Sequence, residues 1–289
     1  MGPEVVLLGT KGGPAIRAGG PSPTSSLLIV EGLPYVIDCG LGVTRGFVEA
    51  GLSLKSLATI FITHHHSDHN LEFGNLIHTA WTTGLSTPVM AYGALGLRQM
   101  WRDFCRLNAF DIETRIADEG RPPLEPMVTA CDFSQGLVME DDLVRVEALR
   151  NLHPPITESF ALKFTVLEGE ARGKRVVFSG DTAFLPEMIA FARDADLLVH
   201  EAMLLDGVDR LVAKTGNGAR LKAHLLASHT TTEELARLAT AAEVKHLALN
   251  HLVPADDPLI TPEMWDAAIR DAGYRGALSI GRDGMRIRF

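Results

Sequence analysis

The sequence predicts an α/β fold in which two sheets are sandwiched between layers of helices. Short apolar runs rich in Val, Ile and Leu alternate with helical patterns, and Gly and Pro separate them. The first runs follow one another closely, as in a β-meander, and strands and helices mix thereafter. Because the runs are continuously apolar, the strands are expected to be buried on both faces, which favours a sheet on one side and helices on the other.

Strands are predicted at the apolar runs, and helices where apolar residues recur every third or fourth position. The predicted strands are 4–9, 27–30, 35–38, 59–63, 89–92, 144–149, 160–166, 175–179, 197–200, 246–250 and 285–289. The predicted helices are 44–50, 71–81, 95–107, 185–192, 232–242 and 262–271. The segment 111–137 is rich in Pro, Glu, Asp and Arg and is predicted to be an irregular insertion, so that residues 1–289 form a single domain.

The composition sets bounds on the environment and the partners of the protein. The 289 residues are 46% hydrophobic, which is enough for a large core. A formal net charge of −9 gives no basic field for attracting a polyanion, so nucleic acid is disfavoured as a partner. Cys39, Cys105 and Cys131 are widely spaced without a C-x-x-C pair, which indicates neither a disulfide framework nor a thiolate metal site. A cytoplasmic location is expected, unless a signal peptide has been removed.

The most informative segment is Thr63-His-His-His-Ser-Asp-His-Asn70, which directly follows an apolar strand. Its imidazoles and its carboxylate are ligands that suit zinc. A polar surface loop with a chance run of histidines is the simpler interpretation. So many ligand residues at the end of an apolar strand nevertheless favour a metal site.

The H-x-H-x-D-H pattern of this segment resembles the motif of the metallo-β-lactamase superfamily, whose fold is a four-layer αβ/βα sandwich. In that family three further ligands arrive from distant loops. Candidates in the same order are His153 in Asn151-Leu-His-Pro-Pro155, Asp181 in Phe178-Ser-Gly-Asp-Thr182 and His251 in Leu249-Asn-His-Leu252.

The resemblance implies two divalent metal ions, zinc in the first place, with manganese or iron as alternatives. The first ion would be held by His64, His66 and His153. The second ion would be held by Asp68, His69 and His251, and Asp181 would bridge the two. A metal ion lowers the pKa of bound water from about 15.7 to roughly 7, so the site favours hydrolysis.

Each distant candidate also has a simpler interpretation. His153 or His251 could be a capping or core histidine, and Asp181 could be a turn residue. Their joint occurrence in the family order favours the metal site. Asp38 ends a predicted strand and resembles the acidic residue with which family members support a ligand, although a turn aspartate fits that position nearly as well.

Two further motifs, Leu198-Val-His-Glu-Ala202 and Ala227-Ser-His-Thr-Thr231, resemble the histidine-glutamate and histidine-threonine motifs of ribonuclease Z, the tRNA 3′-end endonuclease. The resemblance implies that His229 is a general acid or an oxyanion stabiliser and that Glu201 orients it. The candidate catalytic residues are therefore Asp68, His229 and Glu201. In the simpler interpretation Glu201 ends a strand at the surface, and His229 only precedes a helix that one of the following threonines caps.

The segment 98–125 departs from ribonuclease Z. It contains five Arg against six acidic residues and has no Lys- and Gly-rich arm of the kind that binds tRNA. The whole chain is more similar to the arylsulfatase-like branch of small-molecule hydrolases, in motifs such as Tyr35-Val-Ile-Asp-Cys-Gly40, Ser179-Gly-Asp-Thr182 and His251-Leu-Val-Pro-Ala-Asp-Asp-Pro258.

The predicted function is dinuclear-metal-dependent hydrolysis of a small ester, either an aryl sulfate or a phosphodiester, with a metal-bound hydroxide as the nucleophile. The alternatives are a tRNA 3′-end processing nuclease, a lactonase or β-lactamase that acts at a carbonyl, and a metal-binding protein without turnover. The predicted partner is a small-molecule ester and no membrane. A homodimer is expected from the resemblance alone.

Overall fold

The computed structural model describes residues 2–216 and 218–289. The strands are β1 (Glu4–Gly9), β2 (Ser25–Val30), β3 (Leu33–Ile37), β4 (Thr59–Ile62), β5 (Val89–Gly93), β6 (Val128–Asp132), β7 (Gly136–Glu140), β8 (Val144–Arg150), β9 (Phe160–Val166), β10 (Arg175–Phe178), β11 (Leu197–Met203), β12 (His246–Val253), β13 (Ala277–Ile280) and β14 (Met285–Arg288). The α-helices are α1 (Val43–Glu49), α2 (Ser67–Asn70), α3 (Phe73–Thr82), α4 (Leu97–Leu107), α5 (Ala109–Glu119), α6 (Glu187–Phe191), α7 (Leu205–Thr215), α8 (Gly218–Ser228), α9 (Thr232–Ala241) and α10 (Pro262–Asp271).

The described strands form two mixed sheets. The first has the order β14-β1-β2-β3-β4-β5-β6, and the second has the order β13-β12-β11-β10-β9-β8-β7. In the first sheet β1 to β3 form the predicted antiparallel meander, whereas β3 to β6 are parallel. In the second sheet β10 to β13 are parallel. Parallel strands end at the same edge of a sheet, so the loops that follow them lie side by side.

Strand β1 explains why the apolar runs are continuous. Val5 and Leu7 point between the sheets, whereas Val6 and Leu8 point to a helix layer. All four side chains are at most 5% exposed. Alternate residues of one strand therefore serve two cores, as expected for a sheet covered on both faces.

Helices cover the outer face of each sheet. Phe47 of α1, Leu76 of α3 and Leu97 of α4 pack on the first sheet. Leu235 of α9 and Trp265 of α10 pack on the second. The two sheets with their helices form the predicted four-layer sandwich.

The prediction that 111–137 is an irregular insertion is wrong. Most of this segment forms the end of α5, all of β6 and the start of β7, and β6 pairs in parallel with β5. Ile112, Val128 and Ala130 supply the buried side of these elements, each at most 9% exposed. The charged residues that suggested a loop lie on the solvent side. Helices α7 and α8 and strand β13 were also not predicted.

Cys39, Cys105 and Cys131 are free thiols. Among the described residues, no helix combines the length and the apolar character needed to cross a membrane.

Candidate active site

The predicted metal ligands lie together where strands of both sheets end. The segment 63–70 follows β4, His153 follows β8 and Asp181 follows β10. His251 lies near the end of β12, at a bulge where Glu201 pairs with Asn250 and Ala202 pairs with Leu252. His251 is thus the extra residue and has a φ of 41°, a conformation that is unusual for a residue other than glycine.

The first cluster of ligand atoms consists of His64, His66, His153 and Asp181, whose atoms lie within 4.8 Å of one another. The Nδ1 atom of His66 is 3.1 Å from Nε2 of His64 and 3.0 Å from Nε2 of His153. The Oδ2 atom of Asp181 is 3.9 Å from Nε2 of His64 and of His153.

The second cluster consists of Asp68, His69, Asp181 and His251. The Nε2 atom of His251 is 3.1 Å from Oδ2 of Asp181 and 3.3 Å from Oδ2 of Asp68. The Nε2 atom of His69 is 3.3 Å from Oδ1 of Asp181. Asp181 is therefore the residue that the two clusters share.

The outer nitrogens of three clustered imidazoles are held by hydrogen bonds. Nδ1 of His69 donates to Oδ2 of Asp38 over 2.7 Å, and Nδ1 of His153 donates to the carbonyl oxygen of Ser228 over 3.0 Å. Nδ1 of His64 lies 3.1 Å from Oγ1 of Thr63. Such contacts fix the ring so that its other nitrogen faces the centre of the cluster.

Asp38 supports the site as the sequence-based resemblance suggested. Besides contacting His69, its carboxylate accepts hydrogen bonds from the backbone N–H of Thr63 over 2.8 Å and from the Thr63 hydroxyl over 2.9 Å. Asp38 has a φ of 61° and is 2% exposed. The residue therefore connects the end of β3 to the ligand loop after β4.

The polar atoms at the centre fit divalent cations. Nε2 of His69 and Oδ1 of Asp181 are buried and have no hydrogen-bond partner among the described residues. Buried polar atoms without partners are rare in proteins and indicate an ion or water. Imidazole nitrogens and carboxylate oxygens are also the donor set of zinc and related divalent metals.

The electrostatics of the two clusters differ. Burial lowers the pKa of His153 to about 4 and holds that of His64 well below its usual value. Burial also lowers the pKa of His251, but the carboxylates of Asp181 and Asp68 outweigh it and raise that pKa to about 10. The first cluster thus has neutral imidazoles ready for a cation, whereas the second holds protons that a cation would have to displace.

His229 and Glu201 form a buried pair beside both clusters. Nδ1 of His229 donates to the carboxylate of Glu201 at 3.0 and 3.1 Å from its two oxygens. The ring of His229 lies 5.5 Å from that of His153 and 5.4 Å from that of His251. Burial alone would lower the pKa of His229, but the Glu201 carboxylate outweighs it and raises that pKa. The interpretation of Glu201 as a surface residue is wrong, because it is 2% exposed.

The threonines after His229 are part of the helix start. Thr231 is the N-cap of α9 and forms a reciprocal capping box with Glu234. Thr230 donates its hydroxyl to the carbonyl oxygen of Thr182 over 2.7 Å. His229 is therefore held between the end of α8 and a firmly capped helix.

A cavity of about 270 Å³ opens over the two clusters. Its floor includes His66, His153 and His229, and its roof is formed by apolar side chains of α7 and α8, among them Leu211, Leu221 and Leu225. Because the sequence patterns of α7 and α8 did not predict helices, this roof was not predicted.

One histidine of the roof was assigned no role from the sequence. His224 of α8 lines the cavity, and its ring lies 6.3 Å from that of His66 and 6.1 Å from that of His229. It belongs to neither cluster of ligand atoms. In the sequence, its only link to the site is its separation of five residues from His229.

Cationic side chains also line this cavity. Lys11 and Arg17 both pair with Asp256, Lys11 at 3.2 Å, and the side chain of Arg17 is 40% exposed. Neighbouring Gly13 donates its backbone N–H to Oδ2 of Asp68 over 2.9 Å. The glycine-rich loop at the start of the chain therefore contacts a candidate ligand directly.

Comparisons with known proteins agree with the fold. A family model described as anti-Pycsar protein Apyc1 matches residues 5–213. A ribonuclease Z from Mycobacterium bovis (strain BCG / Pasteur 1173P2) is 28% identical over 287 residues, which cover 98% of this chain and 97% of that protein. A ribonuclease Z from Mycobacterium sp. (strain KMS) is 30% identical over 258 residues, which cover 88% of this chain and 86% of that protein.

Two solved structures show the same fold. The metallo-β-lactamase fold protein YhfI from Bacillus subtilis superimposes with a TM-score of 0.70 and 20% identity, covering 99% of both chains. The short form of human tRNase Z superimposes with a TM-score of 0.67 and 21% identity, covering 98% of both chains.

The fold and the clustered His and Asp side chains define a metal-dependent hydrolase of the metallo-β-lactamase fold, acting on ester bonds. Its relatives are ribonuclease Z-like. The chain belongs to the family described as anti-Pycsar protein Apyc1, whose model covers well over half of it.

The prediction of a small-molecule ester as the partner, with nucleic acid disfavoured, is wrong. The relatives that match almost the whole chain are named ribonucleases, and one similar structure is a tRNase. The error came from using the net charge of −9 as evidence about the substrate. A net charge is a sum over the whole surface, whereas substrate attraction depends on the local charge of the site.

Proposed function

We propose that the protein is a metal-dependent phosphodiesterase that cleaves RNA. The observation that carries this proposal is the position of the His229–Glu201 pair next to two His/Asp clusters that share Asp181. The ribonuclease Z relatives support RNA over an aryl sulfate as the substrate.

The ligand roles follow from the two clusters. His64, His66 and His153 would hold one divalent cation, Asp68, His69 and His251 would hold the second, and Asp181 would contact both. Zinc is the ion that a nitrogen-rich donor set of this kind favours. When bound, the cations would supply a water nucleophile of lowered pKa and would neutralise charge that develops on the phosphoryl oxygens.

His229 would donate the proton that the leaving oxygen needs. Its Nδ1 atom is engaged by Glu201, so Nε2 is the nitrogen available to a substrate above the clusters. The carboxylate of Glu201 favours the charged imidazolium and, against the effect of burial, raises the pKa of His229, as suits a proton donor. Glu201 in turn accepts the backbone N–H of Thr182 over 2.7 Å, so that it is fixed relative to the Asp181 loop.

Binding of the phosphodiester would be assisted by the cationic side of the cavity. Arg17 lines the cavity and is partly exposed, and its Nε atom pairs with Asp256. A guanidinium suits recognition of phosphate oxygens because its N–H groups form a planar fork. The acidic surface elsewhere does not prevent such local attraction.

Hydrolysis of matched substrates tests the proposed function. The zinc-loaded protein should cleave RNA with a free 3′ tail, such as a precursor tRNA, faster than nitrophenyl sulfate. Asp181→Asn and His229→Ala should both lose this cleavage, whereas the control His78→Ala should keep it, because His78 pairs with Asp111 outside the site. An aryl sulfate or a lactone cleaved efficiently while RNA stays intact would overturn the proposal.

A further inference from the structure

His224 is a half-buried polar residue in an otherwise largely apolar roof. It lines the cavity beside Leu221 and Leu225 of the same helix, and its ring lies 6.1 Å from that of His153. It is not part of any cluster of possible metal ligands among the described residues. His224 therefore lines the cavity without joining either cluster of ligand atoms.

The tautomer of His224 follows from its contact with Ser228. The hydroxyl of Ser228 donates its one hydrogen to the carbonyl oxygen of Pro154 over 2.7 Å. Nδ1 of His224 lies 3.3 Å from the same hydroxyl oxygen, which can therefore only accept from it. The proton of the neutral ring is thus on Nδ1, and Nε2 carries a lone pair.

Nε2 of His224 has no hydrogen-bond partner among the described residues. This atom is not among the buried polar atoms that lack a partner, so it is open to the cavity. Once a bound substrate displaces water there, the acceptor is satisfied only by a donor that the substrate supplies. The group expected here is consequently a hydroxyl or amino group close to the phosphate that the clusters engage.

We propose that Nε2 of His224 accepts a hydrogen bond from the ribose 2′-hydroxyl next to the scissile phosphate, so that this residue discriminates RNA from DNA. Inside a nucleic-acid chain the 3′ and 5′ oxygens are esterified, and the 2′-hydroxyl is the only free sugar hydroxyl. It is also the group by which proteins distinguish the two polymers. This inference rests on the proposed RNA-cleaving function and specifies the substrate class of the same site.

The test compares one RNA with versions that carry a single 2′-deoxy nucleotide on either side of the cleaved bond. For the wild-type protein, kcat/KM on the all-ribose RNA should be on the order of tenfold higher than on one of the two deoxy forms. A difference of this size corresponds to the loss of one hydrogen bond. His224→Ala should cleave both forms at the rate at which the wild type cleaves that deoxy form. His224→Gln, which can accept through Oε1, should retain part of the preference.

Leu221→Ala is the matched control, since it opens the same roof without removing a polar atom. It should change the rates on both substrates by the same factor and keep the ribose preference. Each variant is also assayed for bound metal, which should equal that of the wild type.

The outcomes separate the two proposals. If the wild type cleaves RNA but His224→Ala slows both forms equally, or loses metal, the role of His224 is wrong and the RNA-cleaving function stands. If the wild type cleaves RNA without any 2′-hydroxyl preference, the role of His224 is likewise wrong. If the wild type cleaves no RNA at all, the proposed function fails, and this inference fails with it.

Discussion

Both carboxylate oxygens of Glu201 contact the same nitrogen of His229, at 3.0 and 3.1 Å from Nδ1. Both side chains are buried, at 2% and 6% exposure, so the contact is shielded from water. A carboxylate that holds one imidazole nitrogen fixes the ring and favours its protonated form. The pair can therefore present a proton at Nε2 toward the clusters.

Removal of this imidazole should slow the reaction without removing the metal. We expect His229→Ala to lose on the order of 10² to 10⁴ in kcat, the usual range for general acid catalysis. The loss should be smaller for a nitrophenyl leaving group, which departs without a proton. Steady-state rates on RNA and on a nitrophenyl phosphodiester, together with metal content, measure this.

The double variant tests whether Glu201 acts only through His229. Combining Glu201→Gln with His229→Ala should be little worse than His229→Ala alone, because residues that work as a unit are not additive. Simple multiplication of the two losses, or loss of metal from His229→Ala, would contradict the assigned roles.

Asp38 should control metal affinity at the second cluster. Asp38→Asn weakens the acceptor 2.7 Å from Nδ1 of His69, and changes of this kind cost about 10- to 100-fold in metal affinity. Competition with a chelator would measure the affinity of each ion. The control is Asp196→Asn, since Asp196 lies before β11, at the opposite end of that strand from the site, and pairs with Lys245. Equal losses in both variants would show that Asp38 has no specific role.

Zinc binding should release protons at pH 7. The Asp181 and Asp68 carboxylates outweigh burial and raise the pKa of His251 to about 10, so the metal-free imidazole is protonated at neutral pH. A cation must displace that proton, so the apparent affinity of the second ion should rise about tenfold per pH unit for each displaced proton until the pH reaches that pKa.

Calorimetry at pH 7 in two buffers of different ionisation enthalpy counts these protons. The step that fills the first cluster should release none from His64 or His153, because burial keeps their pKa values low. The step that fills the second cluster should release at least one. Heats that do not depend on the buffer would contradict the charge distribution described for the two clusters.

The shared carboxylate predicts that one substitution affects both ions. Asp181→Ala removes Oδ1, which is 3.3 Å from His69, and Oδ2, which is 3.1 Å from His251. Elemental analysis should find both ions reduced, whereas Asp68→Ala should reduce mainly the second. Retention of one full equivalent of metal in Asp181→Ala would show that this residue belongs to a single site.

The sequence predicted best those candidate ligands that lie close together along the chain or directly after a strand. The segment 63–70 carries four candidate ligands within a few residues. His153 and Asp181 each follow a predicted strand, so their positions at the same edge could be expected before the packing was known. The position of His251 depends in addition on a bulge in β12, which no pattern of residue types indicated. The assignment of residues 1–289 to a single domain stays a prediction.

The elements that were missed depend on tertiary packing. Strand β6 has only one large apolar residue, Val128, and is stabilised by its pairing with β5. Helices α7 and α8 bury a small set of side chains, such as Val208 and Leu225, against Met203 and Val253. The position of His224 in the cavity could not be predicted because it depends on how α8 lies over the site. The predicted substrate class was wrong because the net charge is a sum over the whole molecule and does not describe the chemistry of one cavity.

The proposed site should cleave RNA only when it holds two cations through Asp181. A titration of chelator-treated protein with zinc, with RNA cleavage followed at each step, measures this dependence. Cleavage activity should stay low up to one equivalent of zinc per chain, rise steeply with the second equivalent and reach a plateau at two. Full activity at one equivalent, or cleavage without any added metal, would contradict this dependence.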